Sequence, residues 1–314
     1  MSPAPASRAL VIGESLVDVV KRPGSAPTAH AGGSPLNVAF GLARLGVPVT
    51  FATEYGADAY GSLLAAHLGD AGVTTINLSH GEATSVATAR IDAQGTARYE
   101  FSLTWDFDAP ALPAAELVHT GSIGALREPG ATAVRRLIEE LHDDTVVSFD
   151  PNVRPALIGE PAQARELVDW YSRHAHLVKL SDEDAGWLFP GWEPRAVLDW
   201  VLERGAAVAV MTLGADGSIL RSRTSEAEIE AVPTRVVDTI GAGDAYMAGL
   251  VAGAVHADLL ARLRRGDVSE DSLRALGGMA ASVAALTVAR AGAVPPTLDE
   301  VRALGTTAGL QAGS

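Results

Sequence analysis

The residues best suited to chemistry lie near position 240, where the sequence reads DTIGAGD over Asp238–Asp244. A strand-like run, Val232–Val237, precedes this segment, and an apolar helical pattern, Ala245–Leu263, follows it. Gly241 and Gly243 permit positive φ and let backbone N–H groups converge on a ligand. Because a helix N-terminus adds unpaired donors and partial positive charge, the turn favours an anion such as a transferring phosphoryl group.

Asp244 lies in the predicted first turn of that helix, beside the anion site. A carboxylate there can hydrogen-bond a substrate hydroxyl and accept its proton as the hydroxyl attacks. Helix capping is the simpler role, and it explains most isolated Gly-x-Gly-Asp segments. The preceding Asp238 and Thr239, together with the long apolar helix, make this pattern more specific.

A second glycine-containing segment, GGSPLNVA, runs from Gly32 to Ala39. Ser34 suits an N-cap and the following proline a first helical position, so the segment predicts the start of a helix. Gly32 and Gly33 leave room for a ligand at the mouth of that helix. Asn37 offers both a donor and an acceptor to sugar hydroxyls, or it only stabilises the helix start.

Three further polar segments follow apolar strand-like runs: Asp150–Arg154, Lys179–Asp184 and Thr212–Gly217. Ligands bind at the carboxyl ends of strands in open parallel sheets. The carboxylates of the second segment suit water-mediated Mg²⁺ contact, with an acidic first helical turn as the alternative. The third segment can wrap a nucleotide phosphate or form an ordinary hairpin turn.

These segments require a scaffold in which strands and helices alternate. Helical patterns separate the apolar runs, which predicts parallel βαβ units with helices on both faces of the sheet. The runs are continuously apolar, as expected of strands that are covered on both faces. The strand-like runs are Ala9–Ile12, Val49–Thr53, Val118–Ser122, Val146–Phe149, Leu177–Leu180 and Ala207–Thr212.

One stretch departs from this alternation. Ser85–Ile91 and Thr96–Leu103 alternate apolar and polar residues around the turn Asp92–Gly95, which predicts a hairpin. A second extended piece, Leu16–Lys21, precedes a glycine-rich segment. Such insertions form either a lid over the ligand-binding edge or a simple edge sheet.

Composition excludes several classes of protein. The 314 residues carry a formal net charge of −14, which disfavours a nucleic-acid partner because phosphate contacts need clustered Lys and Arg. Without cysteine there is no disulfide framework or thiolate metal site. Glu14 and Asp18 interrupt the first apolar stretch too early for a signal peptide, and no uncharged stretch reaches bilayer length. These features predict a cytoplasmic protein without a membrane partner.

Other phosphate and cofactor motifs are missing. The sequence contains no G-x-x-x-x-G-K-[ST], so a P-loop is excluded. Tyr246 stands where a dinucleotide-binding fingerprint would need its third glycine, which disfavours a nicotinamide dehydrogenase.

With these residues in this order, the sequence resembles the ribokinase-like (PfkB) family of carbohydrate kinases from Ala9 to Pro296. The segments Gly32–Ala39 and Asp238–Asp244 carry the resemblance. It implies an α/β fold, a three-layer α/β/α doubly wound and mostly parallel sheet with a small β-sheet lid. It implies one domain over residues 1–314, with the lid formed by segments about 14–33 and 84–106. It also implies Mg²⁺-dependent transfer of the ATP γ-phosphate to a sugar hydroxyl.

The resemblance assigns roles to individual residues. Asp244 would be the catalytic base, and the amides of Gly241, Ala242 and Gly243 would form the anion hole. The substrate sugar would be held by Asp18, Gly32, Gly33, Asn37 and Arg154. The nucleotide and its Mg²⁺ would be bordered by Ser181, Asp184, Thr212, Gly214 and Gly217.

Two cation sites follow from the same resemblance. Asp238 would help to bind a monovalent cation, K⁺, with backbone groups near Arg290–Gly292. Ser181 and Asp184 replace the Asn and Glu that many members carry around Mg²⁺ and phosphate, which shortens one arm of that site. Pro296 stands where some members contribute a serine to the K⁺ site.

Within the family, the sequence looks most like fructokinases, with 2-keto-3-deoxygluconate kinases as close relatives. The latter must hold a carboxylate, which Arg154, Arg98 or Arg90 could bind. Tyr99 and its aromatic neighbours in the lid keep a ribokinase or nucleoside kinase open. Outside the class, a catalytically silent sugar or nucleotide sensor would retain the fold but need no base. Lid edges in this family often pair between subunits, so a homodimer is expected.

Overall fold

The larger of two β-sheets organises the chain. In the computed structural model, which describes residues 8–92 and 96–311, this sheet has the strand order β13-β12-β11-β10-β9-β8-β1-β4-β5. Numbered in chain order, its strands are β1 (Ala9–Ile12), β4 (Val49–Thr53), β5 (Thr74–Asn77), β8 (Leu117–Gly121), β9 (Val146–Asp150), β10 (Leu177–Ser181), β11 (Val208–Thr212), β12 (Ser218–Ser222) and β13 (Glu226–Ile229).

Seven of these strands, from β5 across to β11, run parallel to one another. Only β12 and β13 are antiparallel to their neighbours, since each follows a short hairpin connection. The sequence prediction of a mostly parallel sheet is therefore confirmed. Parallel neighbours bring the carboxyl ends of their strands to one edge of the sheet.

A second sheet of four strands has the order β3-β2-β6-β7. Its strands are β2 (Leu16–Lys21), β3 (Thr28–Gly32), β6 (Val86–Ile91) and β7 (Ala97–Ser102). The predicted hairpin of β6 and β7 forms an antiparallel pair. Its turn, at residues 93–95, lies outside the described residues. The two segments from which the lid is predicted meet in the parallel pair of β2 and β6.

Helices cover both faces of the larger sheet. The described helices are α1 (Ser34–Arg44), α2 (Ala59–Asp70), α3 (Ser122–Leu126), α4 (Gly130–Glu139), α5 (Pro155–Ile158), α6 (Pro161–His174), α7 (Asp182–Leu188), α8 (Pro194–Arg204), α9 (Ala242–His256), α10 (Leu260–Arg265), α11 (Glu270–Val288) and α12 (Leu298–Gln311). Within the described ranges, none of them combines the length and the apolar character that a bilayer crossing demands.

Strand β1 shows how the two faces are filled. Ala9 and Val11 pack into one hydrophobic cluster, with α1, α2, α9 and α11, whereas Leu10 and Ile12 pack into the other, with α4, α6 and α8. All four side chains are buried. A strand with two buried faces needs apolar residues at every position, which explains why the predicted strands are continuous apolar runs.

Two sequence predictions around the segment Asp238–Asp244 are wrong. Val232–Val237 is not a strand. Pro233 has no N–H to donate to a neighbouring strand, and Val236 and Val237 are more than half exposed. The predicted helix Ala245–Leu263 is two helices, α9 and α10, because Asp258 takes a positive φ of 53° between them.

Helices α9 and α11 pack closely at Gly249, and this contact supports the helix that carries Asp244. A Cβ atom added at Gly249 would lie 2.6 Å from Ala280 Cα, whereas one added at Gly253 would meet its neighbours at 3.5 Å. Real Cβ atoms do not come as close as 2.6 Å to another carbon atom, whereas 3.5 Å is an ordinary van der Waals contact.

We expect Gly249→Ala to lower the free energy of unfolding by about 1–2 kcal/mol, because the overpacking outweighs the higher helix propensity of alanine. Gly253→Ala in the same helix is the matched control and should be neutral or stabilising by up to about 1 kcal/mol. Urea unfolding followed by circular dichroism measures both. Equal stabilities of the two variants would contradict the close packing.

Candidate active site

A cluster of polar side chains lies where the parallel strands β9, β10 and β11 end and α9 begins. Gly241, the residue before α9, is left-handed with φ 74°, and a Cβ atom there would lie 2.6 Å from Ala293 Cβ. Only glycine fits this turn without strain. The N–H of Ala242 donates to the carbonyl of Thr239 (3.2 Å). Gly243 is in the first helical turn, where no intrahelical acceptor exists for its N–H.

Asp244 is buried and accepts hydrogen bonds from three side chains. Ser34 Oγ donates to Asp244 Oδ1 at 2.6 Å, and Asn37 Nδ2 donates to Oδ2 at 2.8 Å. Asn152 Nδ2 also donates to Oδ1, at 3.1 Å. The N-terminal turn of α1, the loop after β9 and the first turn of α9 therefore converge on one carboxylate.

Ser34 departs from the sequence prediction. It is the first residue of α1 rather than its N-cap, which is Gly33 with φ 105°. A Cβ atom at Gly33 would lie 2.9 Å from the Glu14 carbonyl oxygen, so glycine is required at this position too. The hydroxyl of Ser34 is consequently free of the helix end and bonds Asp244.

Asn152 is a site residue that the sequence analysis did not select, although it lies in the polar segment at the end of β9. Its φ of 34° is positive, which turns the side chain toward Asp244. Arg154 Nη1 donates to Asn152 Oδ1 at 2.6 Å, so that the amide oxygen is occupied and the NH₂ group faces Asp244. Arg154 thus acts on the site through Asn152.

The substrate residues predicted on the second sheet adjoin this cluster. A Cβ atom on Gly32 would overlap the Asp18 carboxylate, so the glycine leaves room for that side chain. Burial raises the pKa of Asp18, while the charges of His30 and Arg154 oppose the rise. The charge of Arg154 therefore acts on the Asp18 carboxylate.

A buried ion pair also lies in the cluster. Lys179 Nζ is 2.7 Å from Asp150 Oδ2, and their side chains are 3% and 1% exposed. Burial raises the pKa of Asp150 to about 6; Lys179 opposes this rise, and the charges of Asp184 and Asp244 add to it. The sequence pattern placed both residues at strand ends but gave no signal that they would pair.

Ser181 and Asp184 form a capping box at the start of α7. Ser181 Oγ accepts from the Asp184 N–H (3.0 Å), and Asp184 Oδ2 accepts from the Ser181 N–H (2.9 Å). Asp184 Oδ1 accepts from the Val153 N–H at 2.7 Å. Both oxygens of this buried carboxylate are engaged, so it does not fit direct coordination of Mg²⁺; contact through water remains compatible with it.

Thr212, Gly214 and Gly217 form the turn of the β11–β12 hairpin, next to the end of β10. Asp238 joins two loops: its Oδ1 accepts from the Ile240 N–H and its Oδ2 from the Gly292 N–H. These two hydrogen bonds lower the pKa of Asp238. Among the described residues, no group of three or more His, Asp or Glu side chains is spaced as a metal site.

The geometry defines an α/β enzyme whose helix N-terminus can hold an anion beside a buried carboxylate. The sequence profile of the pfkB family carbohydrate kinases matches residues 7–300. The chain belongs to this family, and the resemblance predicted from its two motifs is confirmed.

Curated relatives and solved structures agree with this placement. A fructokinase of Rhizobium leguminosarum bv. trifolii is 29% identical over 279 residues, which are 84% of this chain and 85% of the relative. A fructokinase of Escherichia coli is 29% identical over 297 residues, 90% and 94% of the two chains. The structure of a fructokinase from Xylella fastidiosa with bound ATP superposes with a TM-score of 0.79 at 25% identity, covering 96% and 99% of the two chains.

Glu14 gives the stability of the fold a measurable pH dependence. It is buried at the end of β1 and accepts a hydrogen bond from the Gly124 N–H at 2.7 Å. Burial raises its pKa to about 7, against the hydrogen bonds and the charge of Arg154 that favour the carboxylate. Between the unfolded pKa near 4.5 and this value, the folded state holds a proton that the unfolded state has lost. Stability therefore falls as the pH rises through this range.

We expect Glu14→Gln to abolish the loss of stability with rising pH, because glutamine keeps an oxygen that accepts from the Gly124 N–H and stays neutral. Relative to the wild type, the variant should gain about 2–3 kcal/mol of unfolding free energy between pH 5 and pH 8. Chemical denaturation at several pH values measures the difference. Glu139→Gln, on the exposed end of α4, is the control, and parallel profiles for Glu14→Gln and the wild type would contradict the prediction.

Proposed function

We propose that this carbohydrate kinase transfers the γ-phosphoryl group of ATP to a hydroxyl of a fructose-like sugar. The observation that carries the proposal is the buried carboxylate of Asp244 in the same helical turn as the Gly243 amide. Relatives named as fructokinases, matched over most of their length, support the choice of sugar. The neighbour with bound ATP supports the choice of phosphoryl donor.

Asp244 accepts the proton of the attacking hydroxyl. The hydroxyl oxygen forms a bond to the γ-phosphorus, the bond to the bridging oxygen breaks, and ADP leaves with its electron pair. Ser34, Asn37 and Asn152 hold the carboxylate at a fixed orientation, and a sugar hydroxyl takes the place of one of these donors. Such a positioned base accelerates proton transfer by about 10²–10⁴.

The first turn of α9 stabilises the charge on the transferred group. The amides of Gly241, Ala242 and Gly243 form the predicted anion hole; the Ala242 N–H donates to the Thr239 carbonyl, which leaves the N–H groups of Gly241 and Gly243 to face the anion. Mg²⁺ carried by the nucleotide would neutralise phosphate charge, and Asp184 would help to hold it through water. Ser181 and the hairpin residues Thr212, Gly214 and Gly217 border the nucleotide. Asp238 and the turn at 290–292 are the proposed K⁺ site.

The sugar lies between the two sheets, against Asp18, Gly32, Gly33 and Asn37. Arg154 is exposed and near Asp18, so its guanidinium can also face a substrate carboxylate. This observation favours 2-keto-3-deoxygluconate as the second candidate substrate. The second sheet, from segments about 14–33 and 84–106, is proposed to close over the sugar as the lid of a single domain and to exclude water.

A screen of ADP release over fructose, tagatose, ribose, 2-keto-3-deoxygluconate and nucleosides tests the function. We expect fructose to give the highest kcat/KM, and Asp244→Asn to lower kcat by about 10²–10⁴ while the sugar still binds. Asp271→Asn, in the first turn of α11, is the matched control with normal turnover. A higher kcat/KM for 2-keto-3-deoxygluconate than for fructose would make the sugar acid the substrate. Near-normal kcat of Asp244→Asn would show that Asp244 is not the catalytic base.

We propose that the kinase is a homodimer formed through the second sheet. β7 is one of the two outer strands of this sheet in the described chain, and Tyr99 and Phe101 on it are 65% and 41% exposed with their rings stacked. An exposed aromatic pair on an edge strand is typical of a contact surface.

Light scattering should therefore give a dimer for the wild type and a monomer for Tyr99→Lys combined with Phe101→Lys. Trp192→Lys, at an exposed aromatic residue outside the second sheet, is the control. A monomeric wild type would end the proposal.

A further inference from the structure

The ion pair of Lys179 and Asp150 has no role in the mechanism given so far. Lys179 is in β10 and Asp150 ends the neighbouring β9, so the pair joins two adjacent strands at their carboxyl ends. Replacing a buried ion pair with neutral residues is often neutral or stabilising, because burial removes both charges from water. Stability alone therefore does not explain why the pair lies here.

The ammonium group lies directly against the anion-binding turn. A Cβ atom added at Gly243 would be 3.4 Å from Lys179 Nζ, and apart from its chain neighbours and the backbone of α9 no other heavy atom comes within 4 Å of it. The glycine thus leaves no side chain between the ammonium and the first turn of α9. At this depth a charge is only weakly screened, so the Lys179 cation acts on any anion held by the Gly243 amide.

The charges around the turn would repel such an anion without Lys179. Asp150, Asp184 and Asp244 are all buried and all interact electrostatically with Lys179. Among the buried residues of the described chain, Lys179 is the only side chain of permanent positive charge. His119 is also nearby, but burial and the Lys179 charge lower its pKa to about 3, so it is neutral at physiological pH.

Asp150 explains how a lysine stays charged and fixed in this place. Burial lowers the pKa of a lysine, but Asp150, Asp184 and Asp244 outweigh that effect, and the pKa of Lys179 is raised. The hydrogen bond of 2.7 Å to Asp150 fixes the position of Nζ. A charge that is already oriented costs no reorganisation when the phosphoryl group arrives.

We propose that Lys179, anchored by Asp150, is a positioning residue that stabilises the phosphoryl group in transfer through the Gly243 turn. The proposal rests on the proposed kinase function. It differs from a structural role in one respect: the positive charge is needed in the transition state, not only in the folded protein.

The test compares three variants. Lys179→Met leaves the buried Asp150 carboxylate without its positive counter-charge and is expected to destabilise the fold. Lys179→Met combined with Asp150→Asn removes both charges, so it removes the cation without leaving an uncompensated charge in the interior. Arg8→Met combined with Glu116→Gln is the matched control, because it removes an ion pair near the amino ends of β1 and β8.

We expect the Lys179–Asp150 double variant to melt within a few degrees of the wild type. Its kcat should fall about 10²–10³-fold, as when an oxyanion donor is removed, while the KM for the sugar changes less than about threefold. The control pair should keep its kcat. A folded double variant with kcat within about threefold of the wild type would overturn the proposal.

Calorimetry gives a readout that does not depend on turnover. Aluminium fluoride with ADP mimics the phosphoryl group in transfer, and groups that act only in the transition state bind such a mimic selectively. The wild type should bind ADP with aluminium fluoride more tightly than ADP alone, and the double variant should lose this preference. If the wild type phosphorylates no sugar but shows this pattern, the proposed function fails and the role of Lys179 stands. Equal preference in both proteins would overturn that role.

Discussion

The structure of the site depends on holding one buried carboxylate at the start of a helix. Burial of a charge is costly unless hydrogen bonds compensate it, and Asp244 obtains three from Ser34, Asn37 and Asn152. Ser34 and Asn37 lie in the first turn of α1, and Asn152 lies in the loop after β9. These elements can meet only if the parallel sheet brings the carboxyl ends of its strands together, with α1 packed against α9. The architecture of the larger sheet is therefore a requirement of the chemistry.

Much of this arrangement could be predicted from local sequence. The continuous apolar runs predict the parallel strands, since a strand covered on both faces has no polar position. The two glycine-containing motifs predict two helix starts, because positive φ and close approach leave few other residues possible at Gly33 and Gly241. The second sheet followed from the change to alternating polarity, which is the pattern of strands with one covered face.

The features that local sequence does not predict share a physical cause: each depends on a contact with a residue that is distant in sequence. The run before Asp238 has strand-forming valines, but it belongs to neither described sheet, and the N–H groups of Val237 and Asp238 bond the Val288 carbonyl instead. Asn152, Lys179 and Asp150 lie in segments that the analysis marked as polar strand ends. Which of them would pair depends on the order of β9 and β10 in the sheet and on the path of α9, and local patterns do not encode these.

The distance between the partners of Asp244 also has a consequence for biosynthesis. Ser34 and Asp244 are 210 positions apart, and β1, near the beginning of the chain, lies between β4 and β8. A ribosome-bound chain can build α1 and the early strands, yet it has no assembled reactive centre until α9 has been translated and has docked. A chain that stops before α9 lacks Asp244, so catalytic competence arises only in a molecule in which α1 and α9 have come together.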